Sequence, residues 1–281
     1  DFFTGGSDVY LRVKNGVYRS KSNHKTPVWE KENSLGPGSI SIVFNRSEVI
    51  AFNHKGQIYK KMPSAGTWMP IYKNFKTQLV QSIFETSDGT VFVGCANGLY
   101  KSSDKGKNWK RVQQQGSVGD IVESEGVLIG TAQNGIMRST DNGEHWESVI
   151  SEGGVGIAVE VIDGGFAAIS YSEKAKSRRI NISLDNGKTW QTIDEGLPPS
   201  PSISSIKQVG NYLMCGHPDG IFSSSDMGKT WNVVHPQVDN NVYSVFKASN
   251  TLNSASGDNR KVFKLYVSGN VLYAVARNFG C

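Results

Sequence analysis

One eight-residue pattern occurs four times in this chain, and its recurrence limits the possible fold more than any other property. Ser102-x-Asp104-x-Gly106-x-x-Trp109 returns as Ser139-x-Asp141-x-Gly143-x-x-Trp146, as Ser183-x-Asp185-x-Gly187-x-x-Trp190 and as Ser224-x-Asp226-x-Gly228-x-x-Trp231. Copies follow short apolar runs such as Gly98-Leu99-Tyr100, Gly135-Ile136-Met137 and Gly220-Ile221-Phe222, and another run follows each, so each copy reads as the turn of a β-hairpin. The residue types suit a turn. Asp and Ser side chains accept hydrogen bonds from backbone N–H groups one or two residues on, and Gly takes a positive φ without a Cβ clash. A Trp at the start of the next strand has room to lie over the turn and against a neighbouring repeat.

The six tryptophans, Trp29, Trp68, Trp109, Trp146, Trp190 and Trp231, are 39, 41, 37, 44 and 41 residues apart. A period of about 40 residues is that of a four-stranded propeller blade. The first two turns are degenerate: Ser22-x-His24-x-Thr26-x-x-Trp29 has lost the acid and the glycine, and Ser64-Ala65-Gly66-Thr67-Trp68 is a shortened remnant. After Trp231 come three further strand-like runs, Val242–Phe246, Val262–Val267 and Val271–Val275. The expected fold is all-β, a single β-propeller of four-stranded blades over residues 1–281. Seven blades are favoured, the last without Trp or turn motif and closed by pairing of N- and C-terminal strands, which leaves no exposed sheet edge. Six blades with a decorated seventh segment is the alternative.

The turn pattern resembles the Asp-box, or bacterial neuraminidase repeat, family. That resemblance implies that Asp104, Asp141, Asp185 and Asp226, with Trp109, Trp146, Trp190 and Trp231, are structural rather than catalytic. Sialidases share this scaffold but carry an Arg-Ile-Pro motif, which is absent here, and Arg19 does not occupy the matching position. None of the sialidase catalytic set can be carried onto this chain. Xyloglucan-cleaving hydrolases are similar in scaffold but use two propellers and a carboxylate pair. The single propellers of the photosystem II assembly and stability factor group bind protein partners, and length and blade count suit that architecture.

In a propeller the hairpins between second and third strands share one face with the links between blades, and the repeated turns lie on the other. The hairpin face is expected to carry Lys14-Asn15, Asn53-His54-Lys55, Ala96-Asn97, Gln133-Asn134, an excursion from Tyr171 to Arg179, His217-Pro218-Asp219 and Arg277-Asn278-Phe279. Asn15, Asn97 and Asn134, each followed by Gly, are explained by turn geometry. His54, Glu173, Arg178, Arg179, His217 and Asp219 are the candidate ligand contacts, and the Tyr171–Arg179 excursion is expected to be a long functional loop. Glu173 and Asp219 are also the obvious acids if a hydrolase is present.

Other signals narrow the class. No apolar run approaches the ~18 residues of a membrane span. Net charge is +5, with basic residues scattered except at Lys174–Arg179, so no nucleic-acid stripe is expected. Cys95, Cys215 and Cys281 are too few and too spread for a disulfide framework or a zinc site. No nucleotide, zinc-protease or serine-hydrolase motif is present, so no cofactor, metal or catalytic residue is assigned. The expectation is a monomeric, non-catalytic binding module for a glycan or a protein partner, exported, cell-surface or periplasmic. The alternative is a sialidase-like or xyloglucanase-like glycoside hydrolase with an atypical carboxylate pair.

Overall fold

The computed structural model describes residues 2–5, 8–13, 16–21, 28–32, 35, 40–45, 48–53, 55–62, 66–75, 78–234, 261–268 and 271–278. These form six four-stranded antiparallel sheets, each with its strands in sequence order, and one two-stranded sheet. Blade one takes Phe2–Gly5, Asp8–Val13, Gly16–Lys21 and Glu30–Glu32; blade two takes Ile40–Asn45, Glu48–Asn53, Ile58–Lys61 and Trp68–Ile71. Blade three takes Val80–Glu85, Val91–Cys95, Gly98–Ser102 and Lys110–Gln113; blade four takes Val118–Ser124, Val127–Ala132, Gly135–Ser139 and Glu147–Ile150. Blade five takes Gly153–Ile162, Gly165–Ser172, Ser177–Ser183 and Gln191–Thr192; blade six takes Ser205–Val209, Tyr212–His217, Gly220–Ser224 and Asn232–Val234. The last sheet is the hairpin of Lys261–Ser268 and Val271–Asn278.

The sheets are radial. The first strand of each blade lies against the first strand of the next, and Lys261–Ser268 lies between the first strands of blades six and one, which closes the ring. Middle strands are therefore covered on both faces and read as continuous apolar runs instead of alternating ones. Val91–Cys95 is buried throughout, whereas the outer strands Lys110–Gln113 and Glu147–Ile150 are largely exposed. The core is split into layers between blades. Tyr10 and Val17 meet Ile40, Ile42 and Trp68; Phe52 and Phe75 meet Val80 and Val91; Phe92 and Leu99 meet Val118 and Leu128. Further layers pair Ile129 with Phe166, Ile180 with Ile206, and Met214 with Leu265.

Two expectations need correction. The complete blades number six, the alternative count rather than the favoured seven, because only two strands of the final sector lie among the described residues. The run Val242–Phe246 and the remnants Ser22–Thr26 and Ser64-Ala65 lie outside them. Nor, among the described residues, do N- and C-terminal strands share a sheet: there Phe2–Gly5 pairs only with Asp8–Val13, and the terminal hairpin pairs with itself. The described contacts that join the two ends centre on aromatic side chains. Phe2 is 4% exposed and its ring stands 5.7 Å from Tyr266, 4.8 Å from Tyr273 and 6.4 Å from Trp29. An aromatic cluster of this kind joins two sheets without the strand register that a mixed blade would need.

Candidate functional site

The four repeated turns lie between third and fourth strands, as their spacing predicts, and all are built alike. In the first, the Ser102 hydroxyl donates to Asp104 Oδ1 at 2.8 Å and accepts from the Gly106 N–H at 2.8 Å. Asp104 Oδ1 accepts from the N–H groups of Lys107 and Asn108, while Oδ2 accepts from Asn108 Nδ2 at 2.7 Å. The carboxylate thus reaches three and four residues on, further than the expected one or two. The donor just before the Trp recurs as His145, Thr189 and Thr230, a regularity the four-letter pattern leaves out. These donors hold the acids ionised: Asp104 is lowered to about 2, chiefly by the Asn108 N–H, and Asp226 to about 2, chiefly by the Thr230 hydroxyl.

Each tryptophan ties its turn to the preceding blade. Trp109 packs edge-on at 4.9 Å from Phe75, and Trp146 lies 6.2 Å from Phe92. Their indole N–H groups, with that of Trp190, donate to the carbonyl of the turn glycine at 3.1 Å. Trp231 instead donates to Ile193 O of blade five at 2.7 Å.

On the opposite face, blades three, four and five each have a backbone bond between the hairpin tip and the link before the blade. Ala96 N–H donates to Leu79 O, Gln133 N–H to Ser117 O, and Glu173 N–H to Glu152 O. The expected excursion from Tyr171 to Arg179 is not a loop. Ser172 pairs with Ser177, Tyr171 with Arg178 and Ser170 with Arg179, so the two strands run up to a four-residue turn. Ser172 and Ser177 are buried, which fixes the strands in register to their tips.

The candidate contacts on this face fall into distinct settings. Arg178 is half-buried; its NH1 donates to Ile203 O at 2.8 Å and its N–H to Ser200 O, and burial lowers its pKa. His217 is 1% exposed, with Nε2 2.9 Å from Pro198 O and Nδ1 accepting from the Asp219 N–H at 3.0 Å. Both side chains therefore hold the proline-rich link between blades five and six, satisfying carbonyls that would otherwise be left without donors. Arg179 forms a two-pronged ion pair with Asp194 at 2.6 and 3.0 Å. Glu173 pairs with Lys176 at 2.6 Å, and Asp219 is exposed at the next blade's tip. His54, Lys14, Asn15 and Phe279 lie outside the described residues, as does Cys281. Cys95 and Cys215 are buried free thiols, and burial pushes Cys95 up to about 12. Among the described residues no group of His, Cys, Asp and Glu is arranged to hold a metal, and no helix is long and apolar enough to cross a membrane.

A cavity of about 350 Å³ opens where blades three, four and five meet on the hairpin face. Its walls come from the starts of the first strands, with Gln81, Asp120 and Val155, from Ser117 in the link, and from Thr131 and Gln133 at the end of blade four's second strand. Of these only Gln133 was in sight from the sequence, as a hairpin tip. Blade five's first strand is ten residues long, the longest of the described strands, and begins Gly153-Gly154-Val155-Gly156. It hydrogen-bonds to one neighbour only, with register breaks at Gly153/Gly156 and Gly156/Ala158, and Val155 is 43% exposed. The sequence signal was present as a run of three glycines in four residues at the start of an inner strand.

Solved structures with this arrangement include YCF48 bound to D1 peptide, at 15% identity and a TM-score of 0.66, covering 99% of this chain and 88% of that one. The fold is a β-propeller. YCF48 from Cyanidioschyzon merolae aligns at 12% identity and a TM-score of 0.62, over 98% of this propeller and 91% of that chain. An ancestral GH74 enzyme aligns at 13% identity and a TM-score of 0.65 over 83% of the propeller, which spans only 38% of that enzyme. A family model described as the DUF6242 beta propeller domain matches residues 23–154, just under half of the chain. No curated protein matches in sequence.

Proposed function

We propose that this propeller is of the Asp-box type and serves as a non-catalytic binding module that takes an extended protein segment on its hairpin face. The observation that carries this reading is the start of blade five's first strand. There a glycine-rich strand with a free edge and an exposed valine runs beside the cavity. A strand edge offers backbone N–H and C=O groups in a row, which an added polypeptide strand pairs, while an adjoining pocket reads alternate side chains. A sugar ring needs aromatic planes against its apolar face, and the cavity lining contains none. The overall likeness to a propeller solved with a bound peptide agrees with this choice but shows the fold alone.

The hydrolase alternative needs a proton-donating acid near an ionised one. Glu173 and Asp219 sit at separate hairpin tips, and Glu173 is ion-paired to Lys176. Glu160 and Asp120 interact across adjacent inner strands, and burial raises Glu160, but Lys207 is bound to the Glu160 carboxylate. That partner favours the ionised form and opposes a role as acid.

The test is selection from a library of random twelve-residue peptides on the intact chain, followed by hydrogen exchange. Selected peptides are expected to slow exchange at 153–157, and Val155→Glu is expected to weaken them at least tenfold with the melting temperature unchanged. Failure to select any peptide, or protection confined to the Asp-box face, overturns the reading. So does hydrolysis of aryl glycosides that is lost in Glu160→Gln, Asp120→Asn, Glu173→Gln or Asp219→Asn.

A further inference from the structure

The cavity also specifies what kind of side chain such a segment presents. We propose that it is a subsite for a cation on an aliphatic stem, the ammonium of a lysine or the guanidinium of an arginine. This rests on the peptide-binding reading and adds the chemistry of one position.

Charge is the first argument. Three ionisable groups stand on neighbouring inner strands: Asp120 in blade four, which lines the cavity, and, outside its lining, Glu160 in blade five and Lys207 in blade six. Lys207 is ion-paired to Glu160, and the Glu160 carboxyl is raised by burial, with the charge of Asp120 adding to the effect. The trio sums to one negative charge, and the single cation is already committed. The Asp120 carboxylate is exposed at the cavity wall, and among the described residues it makes no hydrogen bond or ion pair. In a chain of net charge +5, the cavity is therefore a local site of opposite sign. A ligand anion would meet the Asp120 carboxylate, and a neutral ligand would leave that charge uncompensated.

The remaining walls fit the rest of such a side chain. Ser117 donates its hydroxyl proton to Gln81 Oε1 at 2.5 Å, which leaves the serine oxygen free to accept, as does the hydroxyl of Thr131 nearby. Acceptors beside a carboxylate suit a group that carries only donors. Val155, Ala132 and Ile157 provide an apolar wall for methylenes, the arrangement by which Lys and Arg bury a stem and keep the charged head wet. Gly119 and Gly156 keep the wall thin. A Cβ on Gly119 would stand 2.6 Å from Thr131 Oγ1, and one on Gly156 would stand 2.3 Å from Gly135 O.

The experiment uses the intact chain and three small probes: Nα-acetyl-lysine amide, Nα-acetyl-arginine amide and Nα-acetyl-norleucine amide, the last with the stem and no charge. Backbone amide resonances of Gly119, Asp120, Thr131 and Gly156 are followed by NMR during titration. The lysine and arginine probes are expected to move these four amides saturably, with dissociation constants of about a millimolar. Norleucine should bind at least about tenfold more weakly, and added salt should weaken the cations alone. Asp120→Asn should bring lysine down to the norleucine level without changing the melting temperature. Equal binding of norleucine and lysine, an unaffected lysine affinity in Asp120→Asn, or shifts absent from these amides would each overturn the subsite. Selected peptides that still protect 153–157 would then leave the peptide reading standing, so the two failures are distinguishable.

Discussion

At the scale of single residues, the turn glycine does two things, only one of which local chain geometry explains. Gly143 has a φ of +74°, a conformation that costs a side-chain-bearing residue about 1 kcal/mol. It also lies against blade three, so that a Cβ there would stand 2.4 Å from Phe92. Gly164, at φ +77°, has open space around its Cβ position. Gly164→Ala is therefore expected to cost about 1 kcal/mol and Gly143→Ala about 2 kcal/mol more, from overpacking against a buried ring. Denaturant melts of the two variants check this, and equal losses would mean that packing on the preceding blade adds nothing. The same division explains what was legible at this scale. Ser, Asp and Gly of each turn follow from hydrogen bonds within eight residues, so their spelling reveals them. Arg178 and His217 looked like ligand contacts because a sequence does not show that Ile203 O and Pro198 O lie within their reach. Asp120 was passed over because a single acid among small residues resembles any solvated strand start.

At the scale of the element, the turns contribute stability that depends on pH, with one sign for all four. Asp104 and Asp226 titrate at about 2 in the folded chain because N–H and O–H donors converge on them, while an unfolded Asp titrates near about 4. Asp141 and Asp185 shift in the same direction, led by the His145 N–H and the Thr189 hydroxyl. A depressed folded value means that the contribution is complete above about pH 4 and is lost as pH falls through about 2. The melting temperature is expected to fall steeply between about pH 4 and about pH 2, and Asp226→Asn to lessen that slope. A melting temperature unchanged over this interval would remove the carboxylates from the account. Strand positions were legible at this scale because apolar runs and turn signals alternate with a regular period. The hairpin from Tyr171 to Arg179 was not, since its charged, serine-rich spelling is that of a loop. Pairing across Ser172 and Ser177 outweighs that composition.

At the scale of the whole molecule, the described buried side chains form layers between neighbouring blades, and each layer depends on the next. The period near 40 residues made the architecture legible. The blade count was not, because length divided by period gives sectors, and the described part of the last sector holds only two strands. Closure depends on contacts between residues at opposite ends of the chain, which no local pattern encodes. Phe2 is one residue through which those ends meet, its ring packed near Tyr266, Tyr273 and Trp29. Phe2→Ala removes a buried aromatic from that junction at a cost of about 3 kcal/mol. Because each sector contacts only its neighbours, the loss should be local: amide exchange should rise in blade one and in the hairpin of Lys261–Ser268 and Val271–Asn278. Blades three to five should keep their protection, since the ring partners of Phe2, Trp29, Tyr266 and Tyr273, all lie outside them. A uniform rise in exchange across all blades would mean that the ring opens only as one unit, and unchanged exchange in blade one would place the closure elsewhere.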